Sequence, residues 1–349
     1  MLAGVVHAPF DIRYEEIATP VPAKGEVRVK VKYTGICGSD VPRVNGNASR
    51  YYPNILGHEF SGVVDALGEG VSSVAVGDRV AGVPLVPCMQ CEDCLNGNYS
   101  LCKHYSFIGS RQFGSFAEYA VVPAANVFPF DDSVSFEQGA LFEPSSVALH
   151  GLRCADFIGG RSVAVLGCGT IGLFVLQWAR IFGAAGVTAV NRSRERLRLA
   201  KKLGASAAVS TLDEDYMDRL MEISGGRGFD YVFDCTGSAE SMKQTFKLAA
   251  SRAHICMVGT PKKDMSFTVS EWELMNRKEF TLTGSWMSYS APFPGEEWKL
   301  TAHYFKTGDL IYDEDIIDRK LGLSRIAEAF ELYRTPGLVK GKILIDSER

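Results

Sequence analysis

Four cysteines lie close together in the segment from 88 to 102, which reads CMQCEDCLNGNYSLC. The chain contains nine cysteines, and the others are scattered singly. Two-residue separations let successive thiolates turn toward one ion, and the longer gap brings the last thiolate to the remaining vertex of a tetrahedron. We therefore predict a metal site made by Cys88, Cys91, Cys94 and Cys102.

Zinc and an iron–sulfur cluster both use four thiolates. The run lacks the Cys-Pro ending of bacterial ferredoxins, and its polar setting favours a structural zinc. A disulfide framework would imply a secreted protein, but the N-terminus MLAGVVHAPFDIRYEEI does not resemble a signal peptide. We expect a cytoplasmic protein whose closed metal site holds a loop, because four thiolates leave no position for a substrate.

A second and open metal site is predicted from three separate motifs. GICGSD at 35–40 supplies Cys37, LGHEFSG at 56–62 supplies His58 and Glu59, and FEPSSVALH at 142–150 supplies Glu143. Each residue alone is more typical of a structural role. Together they offer a thiolate, an imidazole and a carboxylate, which would leave zinc a place for water or substrate. The sequence leaves open which glutamate binds at rest.

A coenzyme site is predicted where the strand-like run VAVL at 163–166 meets a glycine-rich turn and a helix. The first glycine permits the tight turn, the second admits a pyrophosphate, and the third allows the helix to pack closely on the strand. The pyrophosphate would then lie at the helix N-terminus. The candidate residues are Gly167, Gly169, Thr170, Ile171 and Gly172.

The coenzyme is predicted to be NADP rather than NAD. The next strand ends near Asn191, where an acidic residue would bind the ribose 2′-hydroxyl of NAD. The missing carboxylate removes repulsion toward a 2′-phosphate, and Arg192, Arg194 or Arg196 could form forked hydrogen bonds with it. The alternative is that these arginines only begin a solvated helix.

The elements that must position these residues follow two different sequence patterns, one in each half of the chain. From Val5 to about Phe130, short runs rich in Val, Ala and aromatic residues predict antiparallel strands in a barrel or sandwich. After about residue 150, strands alternate with helices, which predicts βαβ units and a parallel sheet. The tail, LSRIAEAFELYRTPGLVKGKILI, reads as one helix and one strand that could return to the first half.

Length and charge exclude several classes of protein. A chain of 349 residues and 38.1 kDa is long enough for about two domains. Since 37 Lys and Arg face 41 Asp and Glu, the net charge of −4 gives no reason to expect nucleic acid as a partner. The apolar stretches fall far short of the roughly 20 residues that span a bilayer, so we expect no membrane association.

These motifs resemble those of the zinc-dependent medium-chain dehydrogenases over essentially the full length of the chain. The shared marks are GICGSD, LGHEFSG, the four-cysteine segment, FEP and VLGCGTIG. The chain looks most like the polyol dehydrogenase branch, and within it the galactitol-1-phosphate 5-dehydrogenases. That closer resemblance rests on CGSDVPR, YYPNILGHEFSG, VPLVPCMQC, YSFIGSRQFGSFAEY and GSWMSYSAPFPGEEW.

The resemblance implies an α/β protein with a GroES-like β-barrel catalytic domain and a Rossmann domain with a doubly wound parallel sheet. The barrel would comprise 1–150 and 287–349, with a structural-zinc lobe at about 86–104, and the dinucleotide-binding domain would comprise 151–286. Each subunit would hold one catalytic and one structural zinc. A homodimer or homotetramer is implied, with the active site in the cleft between the domains.

Residue roles also follow from the resemblance. Cys37, His58 and Glu143 would hold the catalytic zinc, Glu59 would be an alternating or outer ligand, and Ser39 would relay the substrate proton. Further coenzyme candidates are Cys235, Thr236, Val258, Gly259 and Ser285. Substrate candidates are Arg43, Tyr51, Ser110, Arg111, Trp286 and Tyr289, and a substrate phosphate would meet Arg43, Arg50 or Arg111. Many polyol dehydrogenases carry His where this chain has Pro42, and NAD-using relatives carry Asp in place of Asn191.

The predicted function is hydride transfer between NAD(P) and a secondary alcohol of a sugar alcohol phosphate similar to galactitol 1-phosphate, which gives a ketose phosphate. The alternatives within the enzyme class are an unphosphorylated polyol of the sorbitol or xylitol type, and threonine. A non-catalytic nucleotide sensor is disfavoured because the set Cys37, Ser39, His58 and Glu143 is intact. Iron–sulfur electron transfer is the weakest alternative.

Overall fold

The computed structural model describes residues 1–261 and 263–349. No helix in this described part is long and apolar enough to cross a membrane. The chain divides into two compact units. The first unit comprises Met1–Glu143, Tyr289–Gly308 and Tyr312–Arg349, and the second comprises Pro144–Ser288 and Asp309–Ile311.

Strands predominate up to residue 129, and helices and strands alternate from residue 142 onward. The strands are β1 (Leu2–Ala8), β2 (Asp11–Glu16), β3 (Glu26–Gly35), β4 (Asn54–Ile55), β5 (Glu59–Leu67), β6 (Arg79–Gly82), β7 (Leu85–Val86), β8 (Ser106–Phe107), β9 (Tyr119–Pro123), β10 (Val127–Pro129), β11 (Ser162–Leu166), β12 (Gly186–Asn191), β13 (Ala207–Ser210), β14 (Phe229–Asp234), β15 (Ala249–Met257), β16 (Thr281–Gly284), β17 (Ile317–Gly322) and β18 (Lys342–Asp346). The helices are α1 (Val41–Val44), α2 (Glu92–Leu95), α3 (Phe136–Gly139), α4 (Phe142–Cys154), α5 (Thr170–Ile181), α6 (Arg194–Lys202), α7 (Tyr216–Ile223), α8 (Ala239–Leu248), α9 (Val269–Lys278), α10 (Glu296–Thr307) and α11 (Ile326–Leu332).

The first unit is built around a sheet in the order β10-β6-β5-β3-β18-β17, with β9 also paired to β3. Strand β3 shows why the chain forms this sheet: Val27, Val29 and Val31 are buried, while Lys30 between them is exposed. Burying each valine contributes roughly 1.5–3 kcal/mol. Alternation with a period of two is the signature of a strand with one face in the core.

The C-terminal strand belongs to the same sheet. β18 pairs antiparallel with β3, so the tail of the chain does return to the first unit. β17 and β18 are parallel, and both lie outside the range from Val5 to about Phe130 for which antiparallel strands were predicted. The connection between them passes through helix α11, and a crossover of this kind is what a parallel pair requires.

The second unit has a sheet in the order β13-β12-β11-β14-β15-β16, in which every neighbouring pair is parallel. In β11, the residues from Val163 to Leu166 are all buried, as expected for a strand covered on both faces. The apolar core includes Leu166, Val232 and Phe246. The predicted α/β class, with a mostly antiparallel GroES-like unit and a Rossmann unit with a parallel sheet, is confirmed.

Candidate functional site

Cys37, His58 and Glu59, which we call the open centre, meet in the first unit. Gly35 at the end of β3 pairs with Glu59 at the start of β5, so the register brings Cys37 close to His58. One ligand atom from each of the three residues lies within 4.8 Å of the others. A thiolate, an imidazole and a carboxylate together form a donor set that suits zinc.

Asp40 contacts both Cys37 and His58 of the open centre, and the sequence analysis did not identify it. Its side chain is fully buried; Oδ2 accepts a hydrogen bond of 3.1 Å from the Cys37 amide, and Oδ1 lies 3.4 Å from His58 Nδ1. A carboxylate in this position orients an imidazole and leaves its other nitrogen available for a metal. The signal was present in the motif GICGSD, where Asp40 is the last residue.

The electrostatics of the open centre favour a cation. Burial opposes a charge on His58, but Asp40 and Cys37 outweigh burial and raise the pKa of His58 well above its ordinary value. The same negative groups would favour a divalent ion, which requires a neutral imidazole and a thiolate as ligands. The residues present therefore fit a zinc ion.

Lys342 is a second supporting residue that the sequence did not reveal. Its Nζ lies 2.7 Å from Oε1 and 2.5 Å from Oε2 of Glu59, and it donates a hydrogen bond of 3.1 Å to the carbonyl of Ile36. Burial would lower the pKa of Lys342, but the Glu59 carboxylate outweighs burial and raises it. The ammonium group thus neutralises Glu59 beside the other candidate ligands and reduces its tendency to bind a metal.

Glu143 is outside the set of three residues that come together within 4.8 Å. It lies in the first turn of α4, and burial raises the pKa of its carboxyl to about 7, although His58 acts in the opposite direction. The charges of His58 and Glu59 both act on this carboxyl, His58 to lower its pKa and Glu59 to raise it. Its role as a zinc ligand stays a prediction.

Ser39 and Arg43 border the open centre. The Ser39 amide lies 3.5 Å from Cys37 Sγ, and Arg43 Nη1 donates hydrogen bonds of 2.9 Å to Ser39 Oγ and 2.7 Å to Ser39 O. The hydroxyl of Ser39 is therefore held in place, and its own hydrogen stays available for donation.

The other predicted substrate contacts are dispersed. Tyr51 is exposed at 36%, Ser110 is buried, and Trp286 belongs to the second unit and is 52% exposed. Tyr289 is buried within the first unit, where its hydroxyl accepts a hydrogen bond of 3.3 Å from the Leu85 amide. Tyr289 is therefore a packed core residue, and a contact with the substrate stays a prediction.

The four predicted lobe cysteines come together as a second cluster, in which one ligand atom from each residue lies within 4.8 Å of the others. The Sγ atoms of Cys88 and Cys94 are 3.9 Å apart, far beyond disulfide length. The backbone amide of Gln90 is the largest influence that lowers the pKa of Cys88, to about 6, whereas burial raises that of Cys94 to about 12. Backbone N–H groups thus already favour one thiolate.

In the second unit, the predicted strand, turn and helix are present as β11, the glycine turn and α5. Gly167 has a φ of +94°, which favours glycine. A Cβ on Gly172 would lie 1.8 Å from the carbonyl oxygen of Gly167, so only glycine fits there. Gly169 is the N-cap of α5, which begins at Thr170 and continues with Ile171.

The three arginines after β12 have different surroundings. Arg192 is exposed at the helix entrance. Arg194 forms an ion pair of 2.6 Å with Asp213, and Arg196 Nη1 donates to the carbonyl of Cys168 in the glycine turn at 3.2 Å. Asn191 ends β12 and pairs with Ser210 of β13.

Asp234 joins the loops that carry the remaining coenzyme candidates, and the sequence analysis did not identify it. Its carboxylate accepts hydrogen bonds from the amide and hydroxyl of Thr236, next to Cys235. Its carbonyl accepts hydrogen bonds of 2.9 Å from Val258 and 2.8 Å from Gly259. The carboxyl ends of β14 and β15 are thereby fixed beside each other, where a parallel sheet binds its ligand. Ser285 continues this edge, since its amide bonds to the carbonyl of Met257.

Two protein-family models match the chain, one in each half. Residues 23–132 match the model described as "Alcohol dehydrogenase GroES-like domain". Residues 170–303 match the model described as "Zinc-binding dehydrogenase".

Individual relatives match nearly the whole chain. The galactitol 1-phosphate 5-dehydrogenase of Escherichia coli K12 is 39% identical over 95% of both chains. The crystal structure of galactitol-1-phosphate dehydrogenase from Escherichia coli has a TM-score of 0.94 and covers 99% of this chain and 100% of that one at 37% identity. An L-threonine 3-dehydrogenase of Bacillus velezensis is 32% identical over 93% of both chains.

Proposed function

The chain belongs to the zinc-dependent alcohol dehydrogenase family, and we propose that it interconverts a sugar alcohol phosphate and the corresponding ketose phosphate with NADP. Its membership makes it an NAD(P)-linked oxidoreductase that acts on a CH–OH group. The observation that carries the site assignment is the convergence of Cys37, His58 and Glu59 within 4.8 Å. Similarity to galactitol 1-phosphate 5-dehydrogenase along the whole chain supports the phosphorylated substrate.

A catalytic zinc ion would be held by Cys37 and His58, with Glu59 or Glu143 as the carboxylate. Such an ion supplies Lewis acidity that lowers the pKa of an alcohol hydroxyl. Asp40 would favour a cation at this site, because its buried carboxylate lies 3.4 Å from His58 Nδ1. Lys342 holds Glu59 in an ion pair, and this pairing favours Glu143 as the carboxylate ligand of the zinc ion.

Ser39 is the group that would accept the proton of the substrate hydroxyl. Its oxygen is fixed by Arg43, and its backbone amide lies 3.5 Å from the Cys37 sulfur. With Pro42 at the position where many polyol dehydrogenases have His, the proton would leave Ser39 toward solvent, because Ser39 itself is exposed. The four-cysteine lobe would hold a separate structural zinc.

The preference for NADP rests on residues of the second unit. Asn191 presents no carboxylate to a 2′-phosphate, and Arg192 is exposed beside it. A cavity of about 420 Å³ in the same unit is lined by Arg194, Arg198, Lys201 and Arg219, with Asp213 as its acidic member. Asp213 pairs with Arg194 and Arg219, so Arg198 and Lys201 are the cations of this cavity that favour the additional negative charge of NADP.

The coenzyme assignment is tested by Arg192→Ala. We expect the dissociation constant of NADPH, measured by fluorescence titration, to rise about tenfold with little change for NADH, because a charged hydrogen bond is worth roughly 1.5–3 kcal/mol. Arg252→Ala, on the exposed Arg252–Glu279 ion pair, is the matched control. Equal weakening of both coenzymes would show that Arg192 has a structural role only.

A homodimer or homotetramer is also part of the proposal. β16 is the last strand in the order of the parallel sheet. Leu282 on this strand and the nearby Trp272 and Trp286 are exposed around a largely apolar cavity of about 570 Å³. A second copy that pairs at this edge would cover them. Leu282→Glu should lower the molar mass that sedimentation equilibrium gives, and a monomeric wild type would contradict the proposal.

The substrate is tested by a coenzyme-linked absorbance assay. Galactitol 1-phosphate is compared with galactitol, sorbitol and threonine, each with NAD and NADP, before and after chelation. Turnover confined to the phosphorylated polyol and abolished by the chelator is expected. Preferential turnover of threonine would move the assignment to the activity named for the Bacillus velezensis relative.

A further inference from the structure

A tight turn from 105 to 112 is fixed against the segment that carries the ligand candidate His58. The ring of Phe107 meets the ring of His58 edge-on, with 5.4 Å between their centroids. A Cβ on Gly109 would lie 2.3 Å from the carbonyl oxygen of Gly57, so the two backbones touch. Gly109 has a φ of +79°, which only glycine adopts readily. The position of the turn relative to the open centre is therefore set by backbone contact.

The turn presents one partly buried cation, Arg111. Its amide donates a hydrogen bond of 2.9 Å to the carbonyl of Phe107, which fixes its backbone. Its guanidinium carbon lies 3.7 Å from the ring centroid of Tyr105, and Nη1 donates a hydrogen bond of 2.6 Å to the carbonyl of Tyr105. A guanidinium has five N–H donors in a rigid fork, so one bond to a carbonyl leaves others for an anion.

The other two phosphate candidates are less suitable. Arg43 uses its Nη1 on Ser39 and lies 3.7 Å from the buried carboxylate of Asp40, so its charge is offset by an anion. Arg50 is exposed in the segment before β4. The contacts of Arg111 are instead with a neutral ring and a neutral carbonyl. Its charge is therefore oriented without being neutralised.

We propose that Arg111, stacked on Tyr105, binds the phosphate group of the substrate and thereby selects phosphorylated over free sugar alcohols. This inference rests on the proposed function. Tyr105 acts through Arg111 as a positioning residue, since its ring and carbonyl hold the guanidinium plane. Stacking and a forked geometry are properties of Arg that Lys does not reproduce.

The test compares kcat/KM for galactitol 1-phosphate with kcat/KM for galactitol in purified wild type and variants. The ratio of the two constants measures selection for the phosphate. Arg111→Gln should lower this ratio about 30-fold or more, because a charge-assisted hydrogen-bond pair is lost. Arg111→Lys should restore only a small part of the ratio. Tyr105→Leu should lower it about fivefold, while Tyr105→Phe should keep it, because the ring remains.

Two controls make the test decisive. Arg325→Gln, on the exposed Arg325–Glu328 pair, should leave the ratio unchanged, and circular dichroism spectra check that every variant is folded. If wild type prefers the phosphorylated polyol but Arg111→Gln keeps that preference, the inference is wrong and the proposed function stands. A selective loss in Arg43→Gln or Arg50→Gln alone would likewise overturn it. If wild type shows no preference for the phosphorylated polyol, the proposed function itself fails.

Discussion

Among the residues that the structure describes, two clusters of side chains have the composition and spacing of metal ligands, and they are assembled in opposite ways. The lobe cysteines come from one stretch of the chain, with spacings that bring the thiols together locally. The open centre combines Cys37, which follows the end of β3, with Glu59 at the start of β5, the antiparallel neighbour of β3, and Lys342 joins them from near the C-terminus. A local cluster can form with its loop, whereas the open centre exists only when the whole sheet is folded.

The two clusters also differ in whether neighbouring side chains compensate the charge of their candidate ligands. In the lobe four thiols converge, and a metal ion would offset their charge. In the open centre, Lys342 already neutralises Glu59, and Asp40 orients His58. The lobe thus suits fold maintenance and the open centre suits chemistry, since its supporting residues leave room for an outside ligand.

Replacing a ligand of the open centre gives the largest expected effect. Cys37→Ser should lower kcat/KM by a factor of about 10³ or more, because Lewis-acid stabilisation is worth several kcal/mol. The melting temperature should change little. Steady-state kinetics and elemental analysis check this, with one zinc lost per chain. Full activity with one zinc fewer would contradict the comparison.

The lobe should respond in the opposite manner. Cys94→Ser removes a thiol that is only 5% exposed, and we expect the free energy of unfolding to fall by about 3 kcal/mol because the proposed structural metal would be lost. Denaturant unfolding followed by circular dichroism provides the measurement. Any folded fraction should keep most of its turnover per active site. If kcat fell as far as in Cys37→Ser while stability was kept, the two roles would be reversed.

Asp40→Asn tests the support behind His58. An amide keeps the shape but loses the negative charge that faces the imidazole, so zinc affinity should fall by about 10- to 100-fold. Competition with a chromophoric chelator measures this affinity. Asp65→Asn, which breaks the Arg28–Asp65 pair of the same sheet, is the matched control and should leave zinc affinity unchanged. Equal affinities in Asp40→Asn and wild type would remove Asp40 from the site.

Glu143 gives the smallest expected effect, and it depends on pH. Burial raises the pKa of its carboxyl from 4.5 to about 7, so the folded metal-free protein holds this proton more tightly than the unfolded chain does. The stability from this group is therefore complete below about pH 4.5 and is lost as the pH rises through about 7. After metal removal, Glu143→Gln should gain about 1–2 kcal/mol at pH 8 and nothing at pH 4.5. A gain of equal size at both pH values would exclude titration as its cause.

Local patterns explain what the sequence could predict. The spacing of the lobe cysteines and of the glycines from Gly167 to Gly172 reflects contacts within one turn, so both arrangements were correctly expected. The alternation in β3 and the apolar run in β11 likewise report the burial of one face or of both.

Long-range pairing limits the rest. Lys342 and Glu59 are separated by 283 positions, and neither residue shows in its own segment that it will meet the other. The parallel pairing of β17 with β18 also depends on where the tail docks. The boundary between the two units lies after Glu143, within helix α4. The sequence of α4 reads as one continuous helix and gives no sign of this boundary.

The most direct test of the division of roles is stepwise zinc removal from the wild-type protein, with zinc content, turnover of galactitol 1-phosphate and the near-ultraviolet circular dichroism spectrum measured at each step. The open centre should lose its metal first, because it leaves a position for outside ligands while the lobe is closed. We predict that turnover falls to background when one zinc per chain has left and the spectrum is still native. Undiminished turnover at one zinc per chain, or loss of the native spectrum together with the first zinc, would contradict this division.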